Sequence, residues 1–166
     1  MFSWRHEPCD RGPVFHLTGC IDERAELLSM VPEISGVIYL DFAGVERFNS
    51  SGIMRWFEFF ERVMPKADEI HFVRCSVSVV NHLNMIRNFA PGVWIDSFFA
   101  PYFCESCVHG EDHLIEISAH HAKISSLQAP AMACTECGEP LLFDSLEITY
   151  FTFLNEAALR FPVSDD

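Results

Sequence analysis

The stretch Gly36–Met64, GVIYLDFAGVERFNSSGIMRWFEFFERVM, constrains the fold of this chain more than any other. Val37-Ile38-Tyr39-Leu40 is a short apolar run rich in β-branched and aromatic side chains, the composition of a buried strand. Asp41 and Gly44 then suggest a polar corner. After Asn49-Ser50-Ser51-Gly52, the residues Ile53, Met54, Trp56, Phe57, Phe60, Val63 and Met64 recur at three- and four-residue steps. Asn and Ser cap helices because a side-chain oxygen accepts from a free N–H of the first turn. The expected order is strand, corner, capped helix, with two hydroxyls at the positive end of the helix dipole.

Similar elements follow on both sides. Val14–Gly19 alternates apolar and polar residues as a half-buried strand does, and Phe2 and Trp4 suit an edge strand before it. Asp22 is placed to cap a short helix over Glu23–Met30, ended by Pro32. Glu69–Cys75 alternates again, Ser76 caps a helix over Val77–Asn88, and Val93–Ile95 reads as a further strand. Strands separated by helices call for parallel neighbours and crossover connections, an α/β layer architecture.

The character shifts near residue 97, where we place a domain boundary: 13–97 and 98–166. Cys104-Glu105-Ser106-Cys107 and Cys134-Thr135-Glu136-Cys137 follow, separated by 26 residues. Each pair turns two sulfurs to the same side, and two such turns complete a tetrahedral site. Four thiolates leave no open position, so the expected ion is structural Zn²⁺ rather than a catalytic one. The motifs CESC and CTECGEPLLF resemble a zinc ribbon, a small β unit. His109, His113, His120 and His121 are of a type that could replace one Cys as ligand, but they are expected in exposed loops. Leu141–Asp144 and Leu146–Leu154 read as strands, with a short tail helix near Asn155–Phe161. Cys20 and Cys75 are expected as buried small side chains.

Composition narrows the function classes. A hydrophobic fraction of 49% with 16 Phe describes a folded chain. The formal charge of −13 argues against a nucleic-acid partner, since phosphate backbones demand clustered Lys and Arg. No apolar run is long enough for a membrane span, and no export signal is evident, so cytoplasm is the expected location. Exposed edge strands and a Phe-rich surface are compatible with self-association. No phosphate loop, nucleophile elbow or His-Glu-x-x-His is present, and no enzyme is expected.

Leu17-Thr18-Gly19-Cys20-Ile21-Asp22, Val37 to Val45, Phe48-Asn49-Ser50-Ser51-Gly52-Ile53, Val73 to Ser76 and Val79 to Phe89 together resemble a STAS domain over about residues 13–97. This is the domain of bacterial anti-sigma-factor antagonists and of sulfate-transporter cytoplasmic tails. Ala43 stands where that family usually has Ser, and Asn49 where it usually has Asp. The resemblance implies a small sheet with helices packed on one side. It also implies a regulatory protein partner, such as an anti-sigma factor or kinase, meeting the loop and helix start. Ser51, just before the Gly, would be the phospho-acceptor. The contact residues would be Asn49, Ser50, Ser51, Gly52, Arg55 and Trp56. The other reading of the same residues is that Ser50 or Ser51 is simply a cap, in an unswitched adaptor whose ribbon makes the main contacts.

Overall fold

Phe15, Leu40, Phe72 and Ile95 are register partners across four parallel strands, and they define the apolar face of the first sheet. The structure, a computed structural model, describes residues 1–162. Its first sheet has the order β1-β2-β3-β4-β5. The strands are β1 Ser3–Glu7, β2 Val14–Ile21, β3 Gly36–Phe48, β4 Ala67–Val73 and β5 Trp94–Ile95. β1 is antiparallel to β2, and the other neighbours are parallel. The architecture is mixed α/β, as expected. The crossovers are a 3-10 turn at Leu27–Glu33 and the helices α1 Ser50–Val63 and α2 Val77–Met85.

Because side chains alternate along a strand, adjacent positions face opposite ways. Trp56 of α1 meets Phe42 and Phe72 edge-on, which seats the helix on the apolar face. The opposite face carries the row Val14, Tyr39, His71 and Trp94, with His16 and Asp41 beside it.

Three expectations are corrected in this half. β3 does not turn at Asp41 but runs on for 13 residues, still paired with β2 at Ile21 and Phe48. A carboxylate inside a strand is tolerated because Arg74 compensates its charge and His16 hydrogen-bonds it. Asp22 caps no helix; its side chain accepts from the Arg24 N–H at 2.9 Å in a local turn. The residues after it form the 3-10 turn, which contains Pro32 rather than stopping before it.

The second sheet has the order β7-β6-β8, with β6 Ser97–Cys104, β7 His109–Glu116 and β8 Leu142–Phe143, all antiparallel. Helix α3, Ile117–Ser125, lies between the two cysteine pairs. Leu146–Leu154 is not a strand: it forms α4 Glu147–Tyr150 and a 3-10 turn at Thr152–Asn155. The β-branched and aromatic pattern loses to a tertiary clamp. Asn84 of α2 donates to the Tyr150 carbonyl and accepts from the Phe153 N–H, at 2.9 and 2.7 Å. The tail makes no helix either. Arg160 pairs with Trp94, its N–H bonding the Val93 carbonyl and its carbonyl accepting from Ile95.

The change of sheet falls at Asp96–Ser97, while one apolar cluster runs through both halves. Phe98 of β6 packs on Phe151 and Phe153, and Cys75 bridges to Phe98.

Candidate metal centre and helix entrance

Two turns bring the four cysteines together. The first closes the β6–β7 hairpin, where Cys104 is the register partner of His109. The second is closed by the Cys134 N–H donating to the Glu139 carbonyl at 2.8 Å, next to the Ala133–Pro140 bridge. In both turns the residue after the second cysteine is left-handed, Val108 at φ 54° and Gly138 at φ 76°. That conformation reverses the chain and aims both sulfurs inward. Nothing crowds Gly138, so its requirement is the backbone angle rather than space.

The Cys104 and Cys137 sulfurs are 3.6 Å apart, Cys107 and Cys134 are 4.0 Å apart, and all four lie within 4.8 Å of one another. A disulfide needs about 2.05 Å, so these are separate thiols. A tetrahedron with metal–sulfur bonds of about 2.3 Å has sulfur–sulfur edges of about 3.8 Å. The quartet can therefore hold a metal ion. Hydrogen bonding with Cys137 and then burial push the Cys107 thiol pKa upward, so a cation is what would hold the group as thiolates. Cys104 and Cys134 are buried, Cys107 is half-buried and Cys137 exposed.

The histidines correct another expectation. His109 and His113 belong to strand β7 rather than a loop, and His120 and His121 to α3; all four are partly buried. Glu111 lies between the first two. The Thr135 hydroxyl donates to it at 2.7 Å, and this bond is the main cause that holds its carboxyl low, at about 2. Of the other cysteines, Cys75 is fully buried, whereas Cys20 is partly exposed and directs its thiol to Glu46 at 3.3 Å.

At the start of α1 the cap is Asn49. Its Oδ1 accepts from the Gly52 N–H at 2.7 Å, and its Nδ2 donates to Glu23 Oε2 at 3.1 Å. A Cβ at position 52 would collide with the Ile21 carbonyl, so glycine lets the helix start sit against the end of β2. Ser50 and Ser51 are exposed, and among the described residues neither hydroxyl is engaged in a hydrogen bond. The reading of either serine as the cap does not hold. Arg55 is half exposed beside them and, with residues 23–29, lines a groove of ≈590 Å³.

Trp56 does not belong to this surface. It is fully buried, its Nε1–H donates to the Phe89 carbonyl at 2.9 Å, and its ring stacks on Phe89. Gly52 is buried as well. The exposed members of the expected contact set are Asn49, Ser50, Ser51 and Arg55.

A third cluster was not anticipated from the sequence. On the face of the first sheet opposite α1, Asp41 is 3% exposed. It accepts from Arg74 Nε at 3.1 Å, pairs with the other guanidinium nitrogen, bonds His16 Nδ1 at 2.6 Å and accepts from the Ala43 N–H at 3.0 Å. Burial raises its pKa, but these partners outweigh burial and hold it below the ordinary value. Arg74 adopts φ 49°, a left-handed angle for a non-glycine residue. Nearby, His71 lies between Asp96 at 3.0 Å and Glu69 at 3.3 Å, stacked on Tyr39 and Trp94. Burial lowers the His71 pKa, but the two carboxylates outweigh it and raise it. These groups face a cleft of ≈540 Å³ and are largely paired with each other. An Asp inside an apolar strand run was the one signal available for them.

Among the described residues no helix is long and apolar enough to cross a membrane. No protein-family model, curated protein or solved structure matches the chain.

Proposed function

We propose that this protein is a non-enzymatic regulatory binding module of the STAS, anti-sigma-factor-antagonist kind. In this reading a protein partner docks at the helix entrance formed by Asn49, Ser50, Ser51 and Arg55. Structural Zn²⁺ on Cys104, Cys107, Cys134 and Cys137 braces the other half. Ser51 is the phospho-acceptor, and the module works in the cytoplasm without nucleic acid. The observation that carries the reading is that Asn49 does the capping, leaving both serine hydroxyls exposed beside the groove lined by Arg55. Leu28 and Met54, 38% and 69% exposed, add the apolar surface that a protein contact uses. A phosphate on Ser51 would bring a charge of about −1.5 to −2 into that surface.

The test is a pull-down from host extract with wild type, Ser51→Ala, Ser51→Asp and Arg55→Glu. One protein recovered by the first two and lost with the last two supports the reading. Equal recovery by all four refutes it.

The adaptor reading has an observation of its own. Leu142, Leu146 and Ile148 are 53%, 69% and 69% exposed in the metal-bearing half. An adaptor would lose its partner on Leu146→Glu and not on Arg55→Glu, and Ser51 would carry no phosphate in the host.

A further inference from the structure

We propose that the cysteine cluster is one half of a two-ion centre. A second divalent cation is held by His109, Glu111 and Cys134, whose sulfur is shared with the first ion. The inference rests on the quartet being a metal site.

Strand periodicity makes the pocket. His109, Glu111 and His113 alternate along β7 and share one side of it. That side is tied to the second cysteine turn, where Glu111 accepts from both the Thr135 hydroxyl and its N–H. The result is that one donor atom each of His109, Glu111 and Cys134 lies within 4.8 Å of the others. His109 is 31% exposed on its side chain and Glu111 13%, so the set is enclosed by the turn rather than spread over open surface.

Two further observations point to a cation. His109 Nδ1 is a buried polar atom with no hydrogen-bond partner among the described residues, whereas His113 Nε2 lies 3.2 Å from Glu111 Oε2. A buried ring nitrogen left, like His109 Nδ1, without a partner costs stability unless something satisfies it. Charge is the other observation. Glu105, Glu111, Glu136 and Glu139 lie in or beside the two turns, and residues 100–154 contain one Lys and no Arg. A tetrathiolate ion carries a net negative charge, so the surroundings attract a cation that no fixed side chain supplies. Mixed sulfur, nitrogen and oxygen donors select borderline ions of the Zn²⁺ and Co²⁺ class over Mg²⁺ or Ca²⁺. Three protein donors leave a further coordination position to solvent, unlike the closed quartet.

Native mass spectrometry and elemental analysis of the full chain at saturating Zn²⁺ test this, with Co²⁺ absorption as an independent readout. Wild type should bind two ions per chain, and His109→Ala and Glu111→Gln one each. Both variants should keep the thiolate-to-cobalt charge-transfer bands of the quartet, which also shows that they fold. His120→Ala, on α3 outside the set, should keep two. Wild type saturating at one ion with intact thiolate bands removes the second site and leaves the first. Two ions retained by both variants places the second ion elsewhere and refutes the assignment. No bound ion at all overturns both sites.

Discussion

Asn49 and Glu23 form a 3.1 Å side-chain hydrogen bond that ties the start of α1 to the turn after β2. The amide nitrogen donates to the carboxylate while its oxygen caps Gly52, so both ends of one side chain are used. A carboxylate at position 49 could cap but could not donate. Asn at this position therefore matches its neighbour Glu23, and a side chain at 49 rather than either serine does the capping.

Asn49→Asp should destabilise the protein at neutral pH by about 1 kcal/mol, even though Asp is a good cap, because two carboxylates then face each other. Glu23→Gln on that background should restore most of the loss. Urea denaturation of the four members of the cycle checks this, and a coupling below about 0.5 kcal/mol would count against the bond.

The two cysteine turns should respond oppositely to exchange of their left-handed residues. Val108 adopts an angle that a β-branched side chain strongly disfavours, while Gly138 adopts it freely. Val108→Gly should stabilise the metal-loaded protein by about 1 kcal/mol, and Gly138→Val should destabilise it by about 1–2 kcal/mol. Thermal melts at fixed metal concentration provide the comparison.

Chelation, or Cys134→Ser, should loosen β6, β7 and β8 first. The cysteine turns hold the ends of these strands, whereas the Phe15–Leu40–Phe72–Ile95 row needs no ion. Amide spectra should lose dispersion for residues near 100–116 and 132–143 while those of β2, β3 and β4 persist. Uniform unfolding would show instead that the shared core around Phe98 makes the chain a single cooperative unit.

The sheet face opposite α1 should make stability depend on pH in two windows. Asp41 is depressed in the fold, so its contribution is present above its unfolded value and is lost as pH falls through the lower folded one. Acid unfolding of wild type should therefore be steeper below about pH 4 than that of Arg74→Ala. At neutral pH that variant leaves a buried carboxylate short of its cation and should cost about 1–2 kcal/mol, because Arg74 is half exposed and solvent screens the pair. His71 is raised, so its contribution is present below about pH 6.5, its unfolded value, and is lost as pH rises through the folded value. An imidazole titration by NMR should place His71 above that unfolded value, and Asp96→Asn should bring it down.

Local chemistry was legible in the sequence, and long-range compensation was not. Cys-x-x-Cys spacing reports a turn that stands by itself, so the quartet could be read directly. Asp41 looked like a corner because its partner Arg74 lies 33 positions away and no local rule pairs them. Leu146–Leu154 has strand composition, and only Asn84, from another element, dictates its helical turns. His109 and His113 resembled loop residues because a polar strand edge and a loop share a composition. The apolar stripe of α1 is visible in the sequence, but its spacing alone does not separate a core Trp56 from one on the contact surface. Its bond to the Phe89 carbonyl settles that side chain in the core.

Site-specific photo-crosslinking decides whether a protein partner docks at the entrance of α1. A photoreactive residue at position 51, with a control at exposed Glu33 on the far end of the 3-10 turn, would be activated in the host cell. Docking there gives one dominant protein adduct at 51, absent at 33 and diminished when Arg55 is replaced by Glu. The same adducts at both positions, or none at 51, would contradict it.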